Sequence, residues 1–75
     1  MSTLADLSIG DRARVSGVSG VDQVSVRLME MGLTPGVEVA VIGAAPLGDP
    51  LEIRIRGYRL SVRRSEAARI EVQTG

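Results

Sequence analysis

The chain contains no cysteine and no histidine. Without cysteine there is neither a disulfide framework nor a thiolate metal site. Without histidine, the commonest general base and the commonest metal ligand are both missing. Together these two absences remove most enzyme classes. Aromatic residues are nearly absent too, with Tyr58 alone. A hydrophobic content of 44% must therefore be met by Val, Leu, Ile and Met, a composition suited to a small barrel of β-branched side chains. There is no excess of charge of either sign: nine arginines balance nine acids. That balance argues against a general nucleic-acid binder, which needs a basic face to displace counterions. Lysine is missing as well, so every cation is arginine. GC-rich codon usage accounts for this most simply; selection for planar, bidentate recognition is the sharper reading.

Long apolar runs are also lacking. The longest uncharged stretch, Val39 to Gly48, is half of the ~20 residues that a spanning helix requires. Met1-Ser2-Thr3-Leu4-Ala5-Asp6 has no basic n-region and meets an acid early, unlike a secretory signal. The expectation is a cytoplasmic protein with no direct membrane insertion. The 75 residues form one domain, 1–75, close to the size at which only about 60% of the unfolded surface is buried. The stability margin expected of such a domain is a few kcal/mol.

What is present is a series of short periodic segments. Arg12 to Ser16 alternates polar and apolar, with Ala13 and Val15 facing in. Asp22 is placed to cap a helix whose first-turn N–H groups need acceptors. The helix is expected over Asp22 to Met31, with Val24, Leu28 and Met31 as its apolar stripe. Gly32 stands where a left-handed cap belongs, Leu33 where its hydrophobic contact belongs, and Pro35 prevents a restart before Gly36. Val37, Val39 and Val41 point one way along the next strand. Leu51, Ile53 and Ile55 do the same in a strand over Leu51–Arg56, and Tyr58, Leu60 and Val62 in another. Gly57 supplies the positive φ of the hairpin between those two. Arg64 to Ala68 reads as one helical turn, and Ile70 and Val72 as a last strand. The expected fold is mainly β: five short strands closed into a small barrel, one short α-helix after the first strand, and a helical turn before the last.

Two stretches carry most of the specification. Arg27-Leu28-Met29-Glu30-Met31-Gly32-Leu33-Thr34-Pro35-Gly36 resembles the RLxELGLxPG signature of the FeoA family. Ala45-Pro46-Leu47-Gly48-Asp49-Pro50 is similar to that family's APLGDP loop. Leu7-Ser8-Ile9-Gly10-Asp11 and Arg63-Arg64-Ser65-Glu66-Ala67 resemble its opening and closing motifs. The four motifs stand in order over nearly the whole chain; Met31 in place of the usual Leu is nearly volume-neutral. The resemblance implies a Src-homology-3-like small barrel acting as a cytoplasmic accessory of bacterial ferrous iron uptake. Its implied partner is the FeoB-type membrane permease, through the permease's GTP-binding domain or membrane-proximal region. The same fold occurs in iron-dependent repressors, so a stand-alone relative of that domain, binding metal or nucleic acid, is the alternative.

Candidate partner-binding residues are Arg27, Glu30, Leu33, Pro46, Leu47, Gly48 and Asp49; Gly32, Pro35, Gly36 and Gly57 are structural turns. Arg27 and Glu30 are read either as a docking pair or as an i, i+3 surface ion pair. Leu47 is read either as an exposed knob on a stiff loop, which lowers the ordering cost of binding, or as a cap packed over the barrel end. Asp11, Glu30, Asp49 and Glu52 are a weak set for iron, since carboxylates alone select poorly against magnesium and calcium. The strand arginines Arg54, Arg56, Arg59 and Arg63 are expected opposite Glu38 and Glu52 as a solvated cross-strand pattern. No catalytic, cofactor or metal residue is expected, nor a nucleic-acid partner. Weak homo-oligomerisation stays open. Activation of GTP hydrolysis by an inserted arginine is a further rival, for which the sequence selects no residue.

Overall fold

The computed structural model describes residues 2–74. Among the described residues there are six strands and two helices: β1 (Ser2–Thr3), β2 (Arg12–Val18), α1 (Gln23–Glu30), β3 (Glu38–Ala44), β4 (Leu51–Ile55), β5 (Tyr58–Val62), α2 (Arg64–Ala67) and β6 (Ile70–Gln73). A 3-10 turn over Leu4–Asp6 follows β1. The strands form one antiparallel sheet in the order β1-β6-β2-β3-β4-β5. The count corrects the expected five, and the helix follows the second strand. The extra strand is a two-residue piece in which Ser2 and Thr3 face Val72 and Glu71. No local pattern announces so short a strand, because its pairing partner lies at the other end of the chain.

The sheet curls around a single core, with register shifts between Val15 and Gly17 and between Val41 and Gly43. Irregularities of this kind raise local twist and bend a strand. Among the described residues the ladder ends at β1 and β5 rather than closing hydrogen bond by hydrogen bond; the result is the Src-homology-3-like small β fold. The inward positions are those that the alternation marks, except in β5, where of Tyr58, Leu60 and Val62 only Val62 is buried, Leu60 is half-buried and Tyr58 is exposed. Ala13, Val15, Val37, Val39, Val41, Leu51, Ile53, Ile55, Val62, Ile70 and Val72 are all buried, together with Leu4, Leu7, Leu28, Leu33 and Ala67.

Helix α1 begins at an Asp22 N-cap whose side chain accepts the Ser25 N–H at 3.2 Å. Ser25 itself is buried, and its hydroxyl donates to the Asp22 carbonyl at 2.8 Å. Of the expected stripe, Leu28 is buried while Val24 and Met31 are half-buried. The helix ends at Gly32, whose φ is +105°. Its N–H donates to the Met29 carbonyl, and the Leu33 N–H to the Leu28 carbonyl. The sole aromatic explains why this position is so restricted. The Tyr58 hydroxyl donates to the Met31 carbonyl at 2.6 Å, and a Cβ on residue 32 would stand 2.7 Å from that hydroxyl.

The β4–β5 hairpin turns on two residues, with Ile55 facing Tyr58. Gly57 has φ +85° as expected, but Arg56 also has a positive φ, +50°. Two consecutive positive φ values are what a type I′ turn demands. Arg56 therefore belongs to the turn, not to the strand assigned to it from the sequence. No helix among the described residues is long and apolar enough to cross a membrane.

Candidate functional site

The loop Ala45–Pro50 joins β3 to β4 and is held at several points. The Gly48 N–H donates to the Ala45 carbonyl at 2.7 Å, and the Ala45 N–H to the Pro50 carbonyl at 3.0 Å. Gly48 has φ +85°, and the Asp49–Pro50 peptide is cis. From the other side, Arg64 at the start of α2 grips the loop twice. Its side-chain Nε–H donates to the Gly48 carbonyl, and its backbone N–H donates to Asp49 Oδ1 at 3.0 Å. Asp49 is thus an acceptor for the first turn of α2, and that part of its hydrogen-bonding capacity is spent inside the fold. The sequence offered one clue to this clamp, the helical turn at Arg64, but nothing to say which loop it would meet.

Against this fixed frame Leu47 stands free. It is 97% exposed, so it does not cap the barrel end. Two prolines, a closed turn and the Arg64 clamp hold an apolar side chain in water at a loop tip. Such preorganisation lowers the entropic cost of binding.

The other candidates fall into two groups. Leu33 is completely buried; it closes the helix end against the core and offers no surface to a partner. Its apolar side chain gains more from the core than a loop position would suggest. Arg27 does not pair with Glu30. It is ion-paired with Glu66 of α2 instead, a residue 39 positions away. Glu66 also accepts the Arg63 N–H at 3.2 Å. Helix α2 therefore has α1 tied to it through Glu66 and the Leu47 loop through Arg64. This brings Arg27, Gly48 and Asp49 around one short element. Glu30 is exposed and takes no part in that arrangement.

A second ion pair braces the other end of α1. Arg69 donates to Asp22 Oδ1 at 2.6 Å. The Arg69 hydrogen bond, helped by the Ser25 N–H, lowers the Asp22 carboxyl from 3.8 to about 2; the hydrogen bond to Asp22 in turn raises Arg69. Among the described residues no group of three or more His, Cys, Asp or Glu side chains is gathered together.

The arrangement is that of a small β scaffold that fixes loops in place and displays them, and relatives in sequence and shape agree on what class of scaffold it is. The FeoA domain model matches residues 2–74, and the chain belongs to the FeoA family. It is 41% identical over 70 residues to the Fe(2+) transport protein A/Fe(2+) transporter FeoB fusion protein of Porphyromonas gingivalis. That match covers 93% of this chain but only 8% of the fusion protein's length. The NMR structure of a FeoA-like protein from Clostridium acetobutylicum superposes with a TM-score of 0.89 at 38% identity, over 99% of this chain and 90% of that one. The crystal structure of Stenotrophomonas maltophilia FeoA complexed with zinc, described as a procaryotic SH3 domain protein, gives a TM-score of 0.85 at 32% identity. It covers 97% of this chain and 91% of that one.

Proposed function

We propose that this chain is a non-enzymatic accessory module of bacterial ferrous iron uptake, acting on the cytoplasmic side by docking to a FeoB-type GTP-binding permease. The loop tip Pro46-Leu47-Gly48-Asp49 is the contact, and Arg27 flanks it across α2. The carrying observation is Leu47, almost wholly exposed on a loop clamped by Arg64. An apolar side chain held rigid in water is what an interface anchor looks like before its partner arrives. The Porphyromonas gingivalis fusion supports the choice of partner, since a related domain is there joined to an Fe(2+) transporter on one polypeptide.

The test is calorimetric titration of the chain into the cytoplasmic region of the ferrous permease from the same organism. A saturable complex is expected, and Leu47→Ala should weaken it about tenfold, as for an anchor worth more than ~1 kcal/mol. The proposal fails if no complex forms at about 100 μM, or if Leu47→Ala binds like the parent chain.

A further inference from the structure

The outer face of the sheet carries a feature that the Leu47 loop does not use. Register places Arg12 of β2 opposite Ala40 of β3, Ala40 opposite Arg54 of β4, and Arg54 opposite Arg59 of β5. Three guanidinium groups thus lie in one row across four strands, interrupted by the smallest side chain in the row. This overturns the expectation for Arg54 and Arg59, which face each other and neither Glu38 nor Glu52. Glu52 faces Ser61, and Glu38 faces Arg14. Arg14 already donates to the Gly36 carbonyl at 2.9 Å. Like charges directly opposite on adjacent strands destabilise a sheet. The Arg54–Arg59 pair is therefore a local cost with no return inside the fold.

Ala40 leaves a depression running along β3. Arg12 and Arg54 wall it, and Arg56 stands at one end beside Glu38. Ile9, Ile42 and Ala40 give it an apolar floor toward the other end. Ile9 is 65% exposed. The groove has a volume of about 950 Å³. Its charged side chains are three arginines and one glutamate. Yet the protein as a whole is neutral; of the balancing acids, Asp22, Asp49 and Glu66 are engaged elsewhere as acceptors.

We infer that this groove is a docking site for an acidic segment of a partner protein, lying extended along β3. Its carboxylates would meet Arg12 and Arg54, and an apolar residue would rest on Ile9 and Ile42. Arginine forks bind carboxylates in paired hydrogen bonds, and the apolar floor supplies the area that a bare anion cannot use. A nucleic acid suits the groove less well. Glu38 would oppose a phosphate backbone, and Tyr58, the one ring able to stack on a base, is hydrogen-bonded to the end of α1.

The test uses a capped synthetic peptide bearing a leucine pair beside a run of glutamates, titrated into the labelled chain and followed by amide shifts. Saturable shifts are expected at Ala40, Ile42 and Arg54. Binding should weaken as salt rises from about 50 to about 200 mM, and be lost when glutamine replaces the peptide's glutamates. Arg12→Gln and Arg54→Gln should each weaken it about fivefold or more. Arg54→Gln should at the same time leave the melting temperature unchanged or raised, because it relieves the opposition to Arg59. Any of the following overturns the inference: no shifts with the peptide; equal binding of the glutamine peptide; wild-type affinity in both arginine variants; or tighter binding of an RNA oligonucleotide or polyphosphate on the same face.

Discussion

The turn Gly32–Gly36 and the loop Ala45–Pro50 are built from the same materials: glycine, proline and one leucine each. In one, Leu33 is 0% exposed; in the other, Leu47 is 97% exposed. The difference comes from what surrounds each backbone. At the helix end, the Gly32 conformation lets the chain reverse so closely that Leu33 drops into the core, and Tyr58 closes over the last carbonyls. In the β3–β4 loop the contacts that fix the backbone come from the loop's own hydrogen bonds and from Arg64, and are all polar. Nothing apolar lies over the tip. Two stretches of similar composition thus serve opposite ends, one consolidating the fold and the other presenting a side chain. Burial of the leucine, not the turn chemistry, separates them.

The largest break in that comparison is Leu33→Ala. Removing a fully buried leucine costs about 2–5 kcal/mol through lost transfer energy and the cavity left behind. A domain with only a few kcal/mol to spare should then be substantially unfolded at room temperature, as read by denaturant melting. A cooperative transition near the wild-type midpoint would mean that the site collapses and that Leu33 contributes little. Next comes Gly32→Val. A β-branched residue at φ +105° is strained by about 1–2 kcal/mol. Its Cβ also collides with the Tyr58 hydroxyl, putting at risk a hydrogen bond worth about 1 kcal/mol. The melting temperature should fall by about 10 °C or more. Pairing it with Tyr58→Phe separates the two costs: if the collision matters, the valine should cost less in the phenylalanine background.

Most of this helix end was legible in the sequence. The capping by Asp22, the helix stop at Gly32 and the turn into Leu33 involve neighbours within a few positions, and local chemistry fixes what such residues can do. The inward faces of the strands were legible for the same reason, since alternation with period two is a local property. What escaped depends on partners far along the chain. Ser2 and Thr3 become a strand only by pairing with β6. Arg27 reaches across to Glu66, and Asp49 accepts from Arg64. The arginine row follows from strand register, and that register hinges on Arg56 joining Gly57 in a two-residue turn. A positive φ at an arginine is not something composition suggests. Leu47 was the intermediate case: the sequence framed its two alternatives, and only the tertiary surroundings chose between them.

Two smaller perturbations probe the polar supports on either side. Asp49→Ala removes the acceptor for the first N–H of α2, and losing such an acceptor costs about 1 kcal/mol. It should also loosen the loop, visible as faster amide exchange at Leu47 and Gly48. A variant with unchanged stability and unchanged exchange would show that the Arg64 side chain and the loop's own hydrogen bonds hold it without Asp49. At the helix start the corresponding support is Asp22, and its effect is pH-dependent. Its carboxyl lies at about 2 in the fold against an ordinary 3.8. Folding is therefore favoured where the group is ionised in both states. That contribution is present above about pH 4 and fades as the pH falls toward 2. Asp22→Asn keeps a capping side chain but loses the charge that Arg69 needs. The melting temperature of the variant should lie below wild type at neutral pH, with the gap narrowing between pH 4 and 2. A gap that stays constant across that window would assign the effect to capping geometry rather than to the ion pair.

The smallest stability effect should come from Leu47→Ala, and its smallness is what gives it value. An exposed side chain with no packing partner leaves no cavity when it is shortened. The substitution should therefore stay within about 0.5 kcal/mol of wild type. Leu33→Ala removes the same atoms at a cost several times larger, so the two variants form a matched pair in which only burial differs. If Leu47→Ala instead costs about 2 kcal/mol, the side chain folds back onto the protein in solution, and the contrast between the two turns collapses. Stability alone does not identify an anchor, because any idle surface leucine would behave the same way. Leu47→Asp supplies the second axis. It places a charge at the tip without touching the Arg64 clamp and should fold like the parent. If the tip docks on an apolar surface, the aspartate variant should bind the permease's cytoplasmic region more weakly than the alanine variant. It would then have to desolvate a carboxylate in addition to losing the contact. Equal binding by leucine, alanine and aspartate at this position would leave a rigid loop that displays nothing a partner reads.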